Sequence, residues 1–131
     1  MTAKRTLISN GNPMEKVVGF SRAVRVGPFI AVGGTAPVDA NGKTEGIGDV
    51  RAQTRQCFEI IKAALEDAGS GLQDIVRTRV ILTDIDNWKE AIEARKQYCM
   101  DARPVDTIMA INRFVNPEWL VEIEVDAYIA N

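Results

Sequence analysis

Apolar and polar residues alternate with a period of two over several short stretches, and recur at helical spacing over two longer ones. "KRTLIS" at 4–9 predicts a first strand, followed by the loop "NGNPMEK". "SRAVRV" and "FIAVGGTAP" are two β-type runs joined at Gly27-Pro28, a dipeptide that marks a tight turn, so they predict a hairpin. "VDANGKTEGIGD" is rich in Gly and Asn and reads as an exposed loop. From about Val50 to Ala68, the residues Val50, Cys57, Ile60, Ile61, Ala64 and Leu65 form one apolar stripe, which predicts a long helix. Asp49 is placed to cap its start, and Gly69 suits the position just past its end. Leu72 to Thr83 predicts a strand, with Ile75, Arg77 and Arg79 at one parity and Val76, Val80 and Leu82 at the other. Asp84 or Asp86 then caps a second helix, Asn87 to Met100, with Trp88, Ile92 and Tyr98 as core contacts. Two strands, Val105–Arg113 and Leu120–Ala130, close the chain through a "VNP" turn.

The order β-β-β-α-β-α-β-β predicts an α+β fold. Two helices, each long enough to cover one sheet face, suggest a two-layer sandwich of the ferredoxin-like kind, whose six-stranded mixed sheet is bare on its second face. The last strand shows what lines that face. Glu122, Glu124 and Asp126 share one parity, opposite Val121, Ile123, Val125, Ala127 and Ile129. Three carboxylates therefore stand in a row, about 6–7 Å apart. Glu124 and Asp126 are expected to pair with Arg77, with Arg79 or with a neighbouring subunit. Such a face is either simply solvated or a subunit interface with charge-lined clefts. Ile81 and Ile108, expected among the charges, favour the interface.

Composition narrows the chemistry. The 131 residues fit one domain, 1–131, and 46% hydrophobic with 26% charged residues fits a soluble globular chain. A net charge of −2 makes nucleic acid an unlikely partner. No apolar run is long enough for a membrane span, and "MTAKRTLISNGNP" lacks the apolar core of a secretory signal. With Cys57 and Cys99 read as reduced, buried thiols, the expected location is cytoplasmic. The chain has no histidine. The commonest metal ligand and general base are thus missing, and carboxylates, arginines, backbone groups and bound water must carry any chemistry. No metal site is expected.

The fragments "GFSRAVRVGPFIAVGGTAPVD", "VRAQTRQCFEIIKAALEDAGSGLQDIVRTRVILTDIDNWKEA" and "VEIEVDA" resemble the RidA (YjgF) family, from about Val17 to Ala130. The resemblance implies a chorismate-mutase-like subunit and a homotrimer with three clefts between neighbouring subunits. In the best-understood branch, each cleft hydrolyses a reactive enamine or imine to a keto acid and ammonia, without a cofactor. The family's water-activating glutamate falls on Glu122. Its "SGQ" segment falls on Gly33, Gly34 and Thr35, its tyrosine on Phe20, and an asparagine of the second helix on Ile92. The family's carboxylate-binding arginine is replaced by Asp106, and Arg103, three residues earlier, substitutes for it only if its loop redirects it. Ile108 completes the ligand contacts expected from the closing strands.

These residues leave several readings open. Asp106 is either a solvated strand-start residue or a cleft acid. Gly33-Gly34 is either a strand bulge or a backbone turned to a ligand. If Asp106 and Glu122 share the cleft, mutual repulsion raises one pKa and the pair suits acid/base work on a neutral or cationic substrate. The leading expectation is a RidA-like trimer that binds a small metabolite and acts as an atypical enamine or imine hydrolase. A non-catalytic ligand-binding or regulatory trimer is the alternative, and an endoribonuclease or translation inhibitor ranks below both.

Overall fold

Helix α1 (Val50–Asp67) begins where the Asp49 carboxylate accepts the Ala52 N–H at 3.1 Å. Such a cap stabilises a helix by about 1 kcal/mol. Its end is closed by Gly69, whose φ of 83° lies in the left-handed region open to glycine. Both signals were legible in the chain. The computed structural model describes residues 4–130.

Six strands form one mixed sheet: β1 (Arg5–Ile8), β2 (Ala23–Val26), β3 (Phe29–Thr35), β4 (Ile75–Leu82), β5 (Val105–Ala110) and β6 (Val121–Tyr128). Their order is β1-β2-β3-β6-β4-β5. β4 and β5 run parallel, and the other neighbours run antiparallel. The hairpin turns at Gly27, with Val26 opposite Phe29. Helix α2 (Trp88–Cys99) packs beside α1, and the two cover one face of the sheet. The fold is the expected two-layer α+β sandwich.

The core lies between helices and sheet. Cys57, Phe58, Ile61 and Leu65 of α1 meet Ile30, Val80, Val121, Ile123 and Val125 of the sheet, all fully buried. The alternation in β6 is strict. Val121, Ile123, Val125 and Ala127 are buried, and Glu122, Glu124 and Asp126 stand on the opposite face.

Four details differ from the sequence pattern. Residues Glu15–Gly19, expected as loop and unassigned chain, form a π-helical turn. Leu72–Asp74 is a short 3-10 turn before β4. Asp84 caps only the 3-10 turn Ile85–Asn87, and Asn87 starts α2 without a side-chain cap. In β4, Ile75 and Arg77 do not share a face as their parity suggests. A bulge at Val76 shifts the register against β6, so Ile75 is buried while Val76 is 48% exposed. One extra residue inverts the side chains on its two sides.

Candidate functional site

On the open face, acids and arginines meet in ladders. Arg77 stands opposite Asp126, Arg79 opposite Glu124, and Ile81 opposite Glu122. Arg77 Nε lies 3.6 Å from Asp126, and Arg79 Nη1 lies 3.4 Å from Glu124 and 3.8 Å from Asp126. Glu124 and Asp126 thus have counterions within the chain. Glu122 faces the apolar Ile81 and forms no ion pair among the described residues.

Glu122 instead lies over a break in β3. The register of β3 against β6 shifts between Val32 and Thr35, which leaves Gly33 and Gly34 out of the ladder. A side chain at Gly34 would stand 2.9 Å from Glu122 Oε1, so the glycine makes room for the carboxylate. Arg22, just before β2, donates from Nη2 to the carbonyls of Gly33 at 2.6 Å and Gly34 at 2.8 Å. Thr35 is fully buried on the helix side, where its hydroxyl donates to Gly33 O and its carbonyl accepts the Cys57 thiol.

Burial governs the electrostatics here. It pushes the Glu122 carboxyl above the usual carboxylate range; the Arg22 charge opposes this and Glu124 adds to it. Burial likewise lowers the Arg22 pKa, while Cys57, Glu122 and Glu15 oppose the shift. Arg22 and Glu122 feel each other without forming a direct ion pair. A cavity of about 800 Å³ opens beside them, lined by Phe20, Arg22, Gly34, Trp119 and Glu122 together with Gln56 and Ile60 of α1.

The expected pairing of Asp106 with Glu122 does not hold within the chain. β5 and β6 are not neighbours, because β4 runs between them. Asp106 stands opposite Thr78, a buried residue of the helix-covered face, while Glu122 stands opposite Ile81 on the open face. Thr78 donates its hydroxyl to Asp106 at 2.6 Å, and Arg95 Nε of α2 lies 3.6 Å from the same carboxylate. Asp106 therefore ties α2 to the sheet. Ile108 shares its face and packs against the core, not among the open-face charges. Ile92, half-buried on α2, and Arg103, exposed before β5 with φ 49°, do not line the cavity. Of the expected site residues, Phe20, Gly34 and Glu122 come together there, with Gly33 beside them. Sequence reasoning missed Arg22 and Trp119. The signal for Arg22 was the double glycine of β3, which marks a close approach by another group. Among the described residues, no group of three or more His, Cys, Asp or Glu stands ready to hold a metal ion, and no helix is long and apolar enough to cross a membrane.

Comparison with known proteins agrees with this architecture. The profile of the Endoribonuclease L-PSP family matches residues 11–129. A RutC family protein of Pyrococcus abyssi is 33% identical over 127 residues, covering 96% of this chain and 98% of the relative. The 3-aminoacrylate deaminase RutC of Acinetobacter baylyi is 27% identical over 126 residues, covering 96% and 98%. The crystal structure of a YjgF/YER057c/UK114 family member from Mycobacterium tuberculosis superimposes with a TM-score of 0.87 at 41% identity, covering 96% of this chain and 100% of that one.

Proposed function

Because the chain belongs to the Endoribonuclease L-PSP family, the YjgF/YER057c/UK114 proteins, we propose that it hydrolyses a small enamine or imine, with Glu122 as the group that activates water. The observation that carries this reading is the position of Glu122. It is a half-buried carboxylate with no ion-pair partner among the described residues, set over a glycine bulge in a cavity. The printed name of the Acinetobacter relative, a deaminase of a small enamine, supports the same class of reaction.

The chemistry needs only water. An enamine first takes a proton at its β-carbon, or an imine one at nitrogen, and becomes an iminium ion. Water then adds to the iminium carbon, forming a C–O bond, while the C=N π pair moves to nitrogen and a carboxylate takes the proton that the water gives up. The carboxyl returns that proton to nitrogen as the C–N bond breaks, an oxygen lone pair forms the C=O bond, and the remaining O–H proton is released in place of the one first taken up. The products are a ketone or keto acid and ammonia. A carboxyl group raised above its usual range is suited to both halves of this exchange, because it gives and takes a proton closer to neutral pH. The cavity supplies the orientation that makes a bound water effective.

The active form in this reading is a homotrimer, with the cavity completed by a neighbouring subunit against the open sheet face. Arg77, Arg79, Glu124 and Asp126 give that face its charges, and Ile81 its apolar part. The experiment is to release an imine in situ with an amino-acid oxidase and follow its decay and the ammonia formed. Decay accelerated by the wild-type chain and not by Glu122→Gln is the expected result. Binding of small ligands without any acceleration would instead identify a ligand-binding or regulatory trimer.

A further inference from the structure

The two glycines of the β3 bulge make room for two different side chains. A side chain at Gly33 would stand 3.5 Å from Arg22 Nη2, and one at Gly34 would stand 2.9 Å from Glu122 Oε1. Neither glycine has a register partner on β6, and Arg22 takes both of their carbonyls, donating from Nη2 at 2.6 and 2.8 Å. The backbone of Arg22 is itself tied on two sides. Its N–H donates to the Ile8 carbonyl at 2.8 Å, and its carbonyl accepts the Gly33 N–H at 3.2 Å. One residue therefore joins the end of β1 to the bulge, and the bulge is where the Glu122 carboxylate lies.

We propose that Arg22 is a positioning residue for Glu122: it fixes the glycine bulge on which the carboxylate lies and sets a positive charge beside it, without touching the substrate. This rests on the hydrolase reading for what Glu122 does, whereas the grip of Arg22 on the bulge stands on geometry alone. The guanidinium is built into the wall of the cavity. Its Nη2 is occupied by two carbonyls, and its Nε has essentially no exposed surface. Arginine suits this role because its planar fork holds two acceptors at once and its charge is permanent.

The charges around Glu122 give Arg22 its second effect. Among the described residues that line the cavity, Arg22 is the basic one, and Asp39, Asp67 and Glu122 are the acidic ones. Beside Glu122 stand Arg22, Glu124 of the same strand and the Cys57 thiol of α1, which burial keeps neutral. Ile81, opposite it on β4, carries no charge. Around Arg22 are Glu122, Cys57 and Glu15 of the π-helical turn. Glu122 thus has one opposite charge near it, Arg22, and one like charge, Glu124. A positive neighbour favours the ionised carboxylate, which is the form that takes a proton from water. Removing that charge moves the titration of Glu122 to higher pH.

The test compares Arg22→Gln, which removes the charge, with Arg22→Lys, which keeps the charge and loses the fork. Turnover of an imine released in situ is followed against pH, and the Glu122 carboxyl is titrated separately by 13C NMR, which needs no turnover. In Arg22→Gln we expect kcat to fall by about ten- to a hundredfold, the scale of a displaced catalytic group, with KM within about threefold of wild type. The acid limb of kcat/KM and the Glu122 titration should both move to higher pH. In Arg22→Lys we expect kcat to fall by about two- to tenfold with the limb in its wild-type place. This second variant carries the test if Arg22→Gln does not fold, and an unchanged kcat in it overturns the proposal. A rise in KM at unchanged kcat, with the limb unmoved, also overturns it and makes Arg22 a ligand contact. Turnover and the Arg22–Glu122 link are read apart. A Glu122 titration that moves in Arg22→Gln, in a protein whose wild type turns nothing over, removes the hydrolase reading and keeps the link. Wild-type turnover with that titration unmoved does the reverse.

Discussion

Thr78 donates its hydroxyl to Asp106 across 2.6 Å, and this bond fixes Asp106 on the helix-covered face of the sheet. Arg95 reaches the same carboxylate and also donates to the Thr78 hydroxyl at 3.0 Å and to the Pro104 carbonyl at 3.3 Å. The three side chains form a closed polar knot between α2, β4 and β5. The Arg95 side chain is only 14% exposed and that of Asp106 20%. Removing the acid leaves a mostly covered guanidinium and a buried hydroxyl short of a partner. Asp106→Ala is expected to lower unfolding stability by about 2 kcal/mol, the usual scale for a broken, partly buried, charge-assisted contact. Urea unfolding followed by circular dichroism checks this. Imine turnover lost at unchanged stability would return Asp106 to the catalytic site.

Glu122 gives the opposite pattern. Its pKa is raised in the folded chain, chiefly by burial. An acid with a raised folded pKa binds its proton more tightly in the native state than in the unfolded one. Its ionisation therefore destabilises the fold, and the cost grows as pH rises from the unfolded pKa through the folded one. Glu122→Gln removes that cost. The variant is expected to melt at or above the wild-type temperature at neutral pH, and the difference should shrink as pH falls through the carboxylate range. Turnover should be lost at every pH. In the wild-type protein, the acid limb of kcat/KM should lie above the ordinary carboxylate range. A variant that melts lower at pH 7 than at pH 4, relative to wild type, would contradict this account.

Why the face of one acid was legible and the place of the other was not is a matter of register. The alternation inside β6 is local, so the faces of Glu122, Glu124 and Asp126 followed from parity alone. Asp106 lies on a different strand, and parity says nothing across strands until pairing is known. β4 inserts between β5 and β6, and the bulge at Val76 offsets β4 itself. Neither event leaves a residue-level signature in "IVRTRVILT". The helix ends were legible because Asp49 and Gly69 act within a few residues of where they stand. Arg22 escaped notice because its partners, the carbonyls of Gly33 and Gly34, are backbone atoms brought near by the β2–β3 pairing. The double glycine was the available clue. Two adjacent glycines in a strand signal a close approach by another group.

Assembly through the open face makes a further expectation. Light scattering of the wild-type chain should return about three times the 14.4 kDa chain mass. Arg79 contacts both Glu124 and Asp126 there. Arg79→Glu sets a third acid against those two. Within the chain this costs at most about 1 kcal/mol, because the pairs are partly exposed. Across an assembled interface the same repulsion is desolvated and repeated in every subunit, so the variant should dissociate while its monomer stays folded. A wild-type mass near 14.4 kDa at micromolar concentration would rule out the assembly.

Gly34→Ala tests whether the bulge positions the carboxylate. The Gly34 backbone lies outside the left-handed region, so alanine is accepted there without backbone strain. Among the described residues beyond its chain neighbours, one atom stands in the way of its methyl group, Glu122 Oε1 at 2.9 Å. That atom is the end of a flexible side chain, so the carboxylate shifts and the fold hardly changes. The unfolding free energy should move by less than about 1 kcal/mol. Turnover should fall by about a hundredfold, because a displacement of about 1 Å at a catalytic group has that effect. The loss should appear in kcat more than in KM, since only the Glu122 carboxylate has to move. Turnover unchanged in Gly34→Ala would mean that Glu122 does not act from the position it holds over the bulge, and the water-activating role would have to pass to another group in the cavity.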